Sequence, residues 1–165
     1  MGKSIFIDAE WFLNQHIYLI GYAYNLSGCY QLHDFTMNAA AFSTILYDVD
    51  CIYCYGPDVG MLEKFFDCDL KTYFYCFNLL TIIKRLEPDL PSYKLANLEK
   101  LVGIQREQIE YKSNIWQLHR DWCNPLKKQF AMQYNREDVT NLILIKNYFF
   151  QKHGITRKDI EQYRL

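Results

Sequence analysis

The sequence predicts an α/β fold, a mixed β-sheet covered by helices on both faces. Three observations predict it. Three strand-like segments fall within the first 35 residues, close enough to pair as antiparallel hairpins; helix and strand patterns then alternate to residue 77; beyond that the chain reads as helices.

SIFIDAEW opens the sheet, with Ile5 and Ile7 on one face. HIYLIGYAYNL and CYQLHDF follow, joined by a turn at Asn25, Ser27 and Gly28. Met37 to Tyr47 reads as a helix and Cys51 to Tyr55 as the fourth strand. Gly56 and Pro57 break that strand, and Pro57 suits the first turn of a helix running to about Asp67. KTYFYCF reads as the fifth strand, followed by a helix through LLTIIKRL that Pro88 and Pro91 end. From Ser92, Leu95, Leu98, Leu101 and Val102 recur at helical spacing until Gly103. Asn114 to Trp122 and Pro125 to about Gln151 read as two more helices, Gly154 closing the second. Thr156 and Asp159 carry a start pattern for one short helix more. No repeat, low-complexity stretch or linker interrupts this order, so one domain over residues 1–165 is expected.

Half the residues are apolar, and 14 Tyr, 11 Phe and 3 Trp predict an aromatic-rich core rather than a disordered chain. A net charge of −1 gives no global basic field for nucleic acid. Local candidates are Arg120, Lys127 and Lys128, and the tail set Lys152, Arg157, Lys158 and Arg164; each alone reads as a solvated charge. Six scattered cysteines and the absence of a secretory signal predict a reduced, cytoplasmic protein. Cys51 and Cys54 form a CxxC on a strand, where residues three apart point to opposite faces, so buried thiols are expected rather than a zinc knuckle. No apolar run approaches membrane-spanning length, and no membrane partner is expected.

Five residues carry the chemistry. Asp8 and Glu10 are two apart on a strand, so both leave the same face. Asp58 follows a strand and enters a helix. There it could simply stabilise the helix dipole, or lie where open sheets put their ligands; residue type alone leaves both readings open. Tyr134 and Asp138 are four apart on a helix and share a face; a surface tyrosine with a solvated aspartate is the plain alternative. Val139, Leu142, Ile143 and Ile145 anchor that helix, while Arg136 and Glu137 read as surface residues. Carboxylates repel one another and resist burial, but together they suit hard divalent cations.

These segments resemble the DEDD superfamily of 3′–5′ exonucleases, in its tyrosine-containing (DEDDy) branch. The Asp-x-Glu of the first strand matches Asp8 and Glu10, an Asp at a strand-to-helix junction matches Asp58 in YGPDVGML, and Tyr-x-x-x-Asp matches Tyr134 and Asp138 in YNRED. Gln133 stands where the sister branch has His. PSYKLANLEKLVGIQRE followed by YNREDVTNLILI is similar to a predicted ribonuclease-H-like exonuclease domain found alone or fused to helicase or RecB-type nuclease modules. Two departures are Trp11, where relatives often have Thr, and Asn78, where they frequently have Asp.

The resemblance implies a ribonuclease H-like fold, its five-stranded mixed sheet ordered 3-2-1-4-5. It implies 3′–5′ hydrolysis of single-stranded DNA or RNA ends with two Mg²⁺ or Mn²⁺ ions held by Asp8, Glu10, Asp58 and Asp138. Tyr134 would orient the attacking water. Trp11 and Phe12 are candidates for stacking on terminal bases, and His119 and Trp122 for lining a groove. A structure-selective endonuclease and a nucleic-acid-binding adaptor with a weakened site are the competing classes. Near-neutral charge in so short a chain predicts a partner protein or self-association to supplement substrate contacts.

Overall fold

A computed structural model describes residues 2–13, 16–107, 111, 114–156 and 158–165. The strands are β1 (Lys3–Phe12), β2 (His16–Asn25), β3 (Gly28–His33), β4 (Val49–Cys54) and β5 (Tyr75–Asn78). The helices are α1 (Ala39–Ile45), α2 (Asp58–Phe66), α3 (Leu70–Tyr73), α4 (Leu79–Leu86), α5 (Leu95–Val102), α6 (Ile115–Trp122) and α7 (Lys128–Lys152). The sheet order is β3-β2-β1-β4-β5, as the resemblance implies. β1 is central, antiparallel to β2 and parallel to β4, and β5 runs parallel to β4. The sheet is therefore mixed, and each crossover beyond β3 passes through helices.

Strand alternation divides the core in two. Ile5, Ile7 and Ala9 face α1 and α2, packing with Phe42, Ile45, Val59 and Leu62. Phe6, Tyr53 and Phe77 face the other way, toward Ile82, Leu98, Val139, Leu142 and Phe149 of α4, α5 and α7. Cys51 and Cys54 fall in different cores, so the two thiols of the CxxC cannot converge on one ion.

Between β1 and β2 the alternation breaks once. Glu10 pairs with Leu19 but Trp11 pairs with Ile17, leaving Tyr18 as an extra residue on β2. Such a bulge re-aims one side chain, and Tyr18 turns toward α6, where its ring meets His119 and Trp122.

Several expected boundaries move. The fifth strand keeps only Tyr75, Cys76 and Phe77 of KTYFYCF and adds Asn78; its first half belongs to α3. Asp69 captures it by accepting from the Thr72 N–H at 3.1 Å and from the Thr72 hydroxyl at 2.7 Å, a local cap that outweighs aromatic strand propensity. The third strand stops at His33, before a 3₁₀ turn over Asp34–Thr36. The first helix shortens to Ala39–Ile45 because Asn38 caps it at the Ala41 N–H. α5 starts at Leu95 rather than Ser92, and Leu101 is exposed. α7 starts at Lys128 rather than Pro125. The tail forms one 3₁₀ turn over Ile160–Tyr163, with Thr156 and Asp159 bonded to each other. Arg157 lies outside the described residues. Arg164 forms a bridge with Phe77, and the Leu165 N–H donates to the Cys76 carbonyl at 3.0 Å. Among the described residues no helix is long and apolar enough to cross a membrane.

Gly21 sets how close α7 approaches the sheet. A Cβ there would stand 2.2 Å from Asn135 Oδ1 and 2.7 Å from Val139 Cγ2. Gly21→Ala is therefore expected to cost about 1–3 kcal/mol in urea unfolding. Gly60→Ala, inside α2 with nothing near its Cβ, is expected to stabilise by about 0.5–1 kcal/mol. Equal effects of the two substitutions would refute this account of the α7 packing.

Candidate functional site

The site grows from the carboxyl end of β1. Asp8 and Glu10 leave the face that α7 covers, since Ile7 and Ala9 occupy the other. On α7, Tyr134, Asp138 and Asn141 recur at helical spacing on the side facing the site, while Val139, Leu142 and Ile145 anchor the helix. Asp8, Glu10 and Asp138 each offer a carboxylate oxygen within 4.8 Å of the others. Residues 130 positions apart thus converge on one ion-sized space.

Asp58 is buried in the first turn of α2 and makes no side-chain cap. It stands outside that close trio, yet near enough to raise the Glu10 pKa and to be raised by Asp8. Its Oδ2 and the Glu10 Oε1 are buried with no hydrogen-bond partner. Two orphaned acceptors in an all-carboxylate set are the chemistry a hard divalent cation satisfies.

Two residues build the β4-to-α2 junction that presents Asp58. Gly56 has φ +87, a left-handed conformation that favours glycine. Asn78 clips it from β5: its Oδ1 accepts from the Gly56 N–H at 3.0 Å and its Nδ2 donates to the Gly56 carbonyl at 2.7 Å. The same Oδ1 caps α4 at the Leu80 N–H, 3.0 Å away. An ionised aspartate at this position could not donate to Gly56, so the asparagine here has a structural use.

Burial comes first among the causes that push every carboxyl upward. Asp8 rises to about 6, restrained by the Asn135 hydrogen bond and by Arg106. Glu10 rises well above the usual range through burial and the charges of Asp8, Asp138 and Asp58. Asp58 rises through burial and Asp8, against a main-chain hydrogen bond from Tyr55. Asp138 rises through burial and Asp8, with Arg106 opposing. Burial and neighbouring carboxylates also hold the Tyr134 hydroxyl protonated, so it serves as a hydrogen-bonding group and not as a base.

Other residues at this site were not singled out by the sequence. Asn135 Nδ2 donates to Asp8 Oδ2 at 2.8 Å, and Gln31 on β3 fixes that amide by donating to its Oδ1 at 3.0 Å. Arg106 donates to Asp138 and to Glu99, and its Cζ lies 4.8 Å from the Tyr134 ring centre. Arg136, expected at the surface, is half-buried and donates to Gln31 at 2.9 Å; Glu137 is half-buried too. Only the i, i+1 adjacency of Asn135 to Tyr134 offered any sequence cue.

Trp11 follows Glu10 on β1 and is 39% exposed. Phe12 is half-buried, stacked 4.0 Å from His119 and edge-on to Trp116 at 4.7 Å. Trp122 lies against Tyr18 and beneath the Lys128 ammonium at 4.1 Å. Several of the local cations are engaged within the protein: Lys128 with Asp34, Lys127 with Asp121, Lys152 with Glu87, and Arg164 with the Lys71 carbonyl.

The family model described as the RNase H superfamily matches residues 5–150, a span that takes in all of the sheet but the first two residues of β1, together with Asp8, Glu10, Asp58, Tyr134 and Asp138. No curated protein and no solved structure matches the chain.

The raised carboxyl groups fix a sign. Between the ordinary range near 4 and the raised values, the folded chain binds more protons than the unfolded one, so its stability falls as pH rises. In a chelator, the melting temperature should fall by about 4–8 °C between about pH 5 and pH 8. Millimolar Mn²⁺ should abolish that fall, because an ion binds the deprotonated carboxylates. A metal-free melting temperature that is flat or rises over this window would show that the four acids are not crowded together in solution.

Proposed function

The chain belongs to the RNase H superfamily, and from that premise we propose that it is a metal-dependent 3′–5′ exonuclease acting on single-stranded DNA or RNA ends. Membership points to a nuclease, and the trio of Asp8, Glu10 and Asp138 oxygens within 4.8 Å is the observation that carries the metal-dependent reading. The Tyr134–Asp138 pair, with glutamine at 133, favours the tyrosine-containing exonuclease branch.

In this reading Asp8, Glu10 and Asp138 would hold one divalent ion, and Asp58 with Asp8 would help to hold a second. Mg²⁺ or Mn²⁺ suits an all-oxygen donor set. When bound, two such ions lower the pKa of a water and stabilise charge on the attacking and leaving oxygens. The chain's own residues do the rest. The Tyr134 hydroxyl orients the water that attacks the terminal phosphorus; that water gives up a proton to solvent as the new P–O bond forms, the bond to the 3′-oxygen breaks, and that oxygen leaves as a hydroxyl after taking a proton from solvent. Asn135 keeps Asp8 from rotating away. Trp11, with Phe12 braced by His119 and Trp116, offers aromatic surface on which the last bases stack. With several cations already paired internally, substrate affinity is modest and salt-sensitive, and a partner protein or a second copy supplies further contacts.

The test uses single-stranded DNA and RNA labelled at the 5′ end, incubated with Mn²⁺. A ladder shrinking from the 3′ end is expected. Asp8→Ala and Asp138→Asn should lower the rate by about 10³-fold or more, and Tyr134→Phe by roughly 10- to 100-fold. Cleavage of a closed single-stranded circle would replace this reading with an endonuclease. No cleavage and no metal uptake would leave a binding module.

A further inference from the structure

Arg106 is a buried cation among the carboxylates. Its Nε donates to both oxygens of Glu99, at 2.8 and 2.9 Å, and its Nη2 donates to Asp138 Oδ1. Asn141 of α7 donates to Glu99 at 2.9 Å, so the anchor of the guanidinium is itself fixed. Nη1 is buried without a hydrogen-bond partner. Burying an arginine–carboxylate pair costs desolvation that stability alone seldom recovers.

Two features set this arrangement apart from a structural clip. Glu99 grips the guanidinium by Nε, so Arg106 keeps its place whether or not Asp138 is bonded to it. The second carboxylate it touches, through the Nη2 that also donates to Glu99, belongs to the close trio, whereas Glu10 and Asp58 keep orphaned oxygens. A guanidinium on Asp138 and a divalent ion in the trio draw on the same negative charge.

We propose that Arg106 is a positioning residue that acts as the resident counter-cation of the site. It holds Asp138 in place while no ion is bound, and it weakens ion binding by sharing that carboxylate. By linkage, the ion loosens the Arg106–Asp138 contact as much as Arg106 loosens the ion. The fold thereby tolerates crowded acids before loading, and a bound ion stays exchangeable. This rests on the reading that Asp138 is a metal ligand.

The experiment is Mn²⁺ binding, without substrate, to the full chain by calorimetry. R106Q should bind Mn²⁺ about tenfold more tightly than wild type or better. R106K, which keeps the charge but loses the forked grip on Glu99, should fall between wild type and R106Q, and binding by R106K as tight as by R106Q would show that the charge itself does not matter. Mn²⁺ should also raise the melting temperature of R106Q more than that of wild type. Equal or weaker binding by R106Q would overturn the inference alone, because a merely structural arginine leaves the affinity unchanged or lowers it. A wild-type protein that takes up no Mn²⁺ would instead overturn the metal reading. If R106Q fails to fold, the wild-type protein decides: its Arg106 Nε–H resonance should shift saturably with Mg²⁺, and a resonance that does not move would refute the proposal.

Discussion

Like charges forced into one corner of a sheet are the constraint that this structure is built around. β1, α2 and α7 each deliver carboxylates there, and burial raises the cost of ionising every one. The fold meets that cost with neutral and cationic donors: the Asn135 amide on Asp8 and the Arg106 guanidinium on Asp138. Both depend on α7 lying hard against β2, which the missing side chain at Gly21 allows. The site and the close packing are therefore one feature: a longer gap between helix and sheet would relieve the repulsion and dissolve the cluster.

What could be read from the sequence follows from how local each signal is. Asp8 and Glu10 were legible because a strand repeats every two residues, and Tyr134 and Asp138 because a helix brings four-apart positions together. Asp58 was legible only through the Gly-Pro break before it. The mixed pairing was legible from the order of strand and helix patterns, whereas the strand order came from the family resemblance. Arg106, Glu99 and Gln31 were not legible, because each acts through a partner on another element or several turns of chain away, and nothing in their neighbours marks them; Asn78 was marked only as a departure from the family pattern, and its clip on Gly56 was not. The fifth strand was overdrawn because aromatic residues favour strands, while the Asp69–Thr72 cap that decides the matter is worth more locally.

The end of β1 couples scaffold to site. A single bulge swings Tyr18 out of the strand pattern and into contact with α6, and Phe12 reaches the same helix through His119 and Trp116. α6 in turn packs on α7 around Tyr111, Leu118 and Ala131, with Tyr134 at the margin of that cluster. The aromatic wall and the tyrosine are thus set by one packing unit, so a shift of α6 would move both relative to the carboxylates.

The tail's hold on β5 has a consequence of its own. That strand is short and stands at the border of the sheet, where open main-chain groups invite a neighbouring molecule to dock as an additional strand. Arg164 and Leu165 occupy Phe77 and Cys76 there, so the polypeptide covers part of one of its two edge templates for intermolecular β-pairing. Intermolecular pairing at high concentration is thereby tied to Arg164 and Leu165, which take no part in the chemistry.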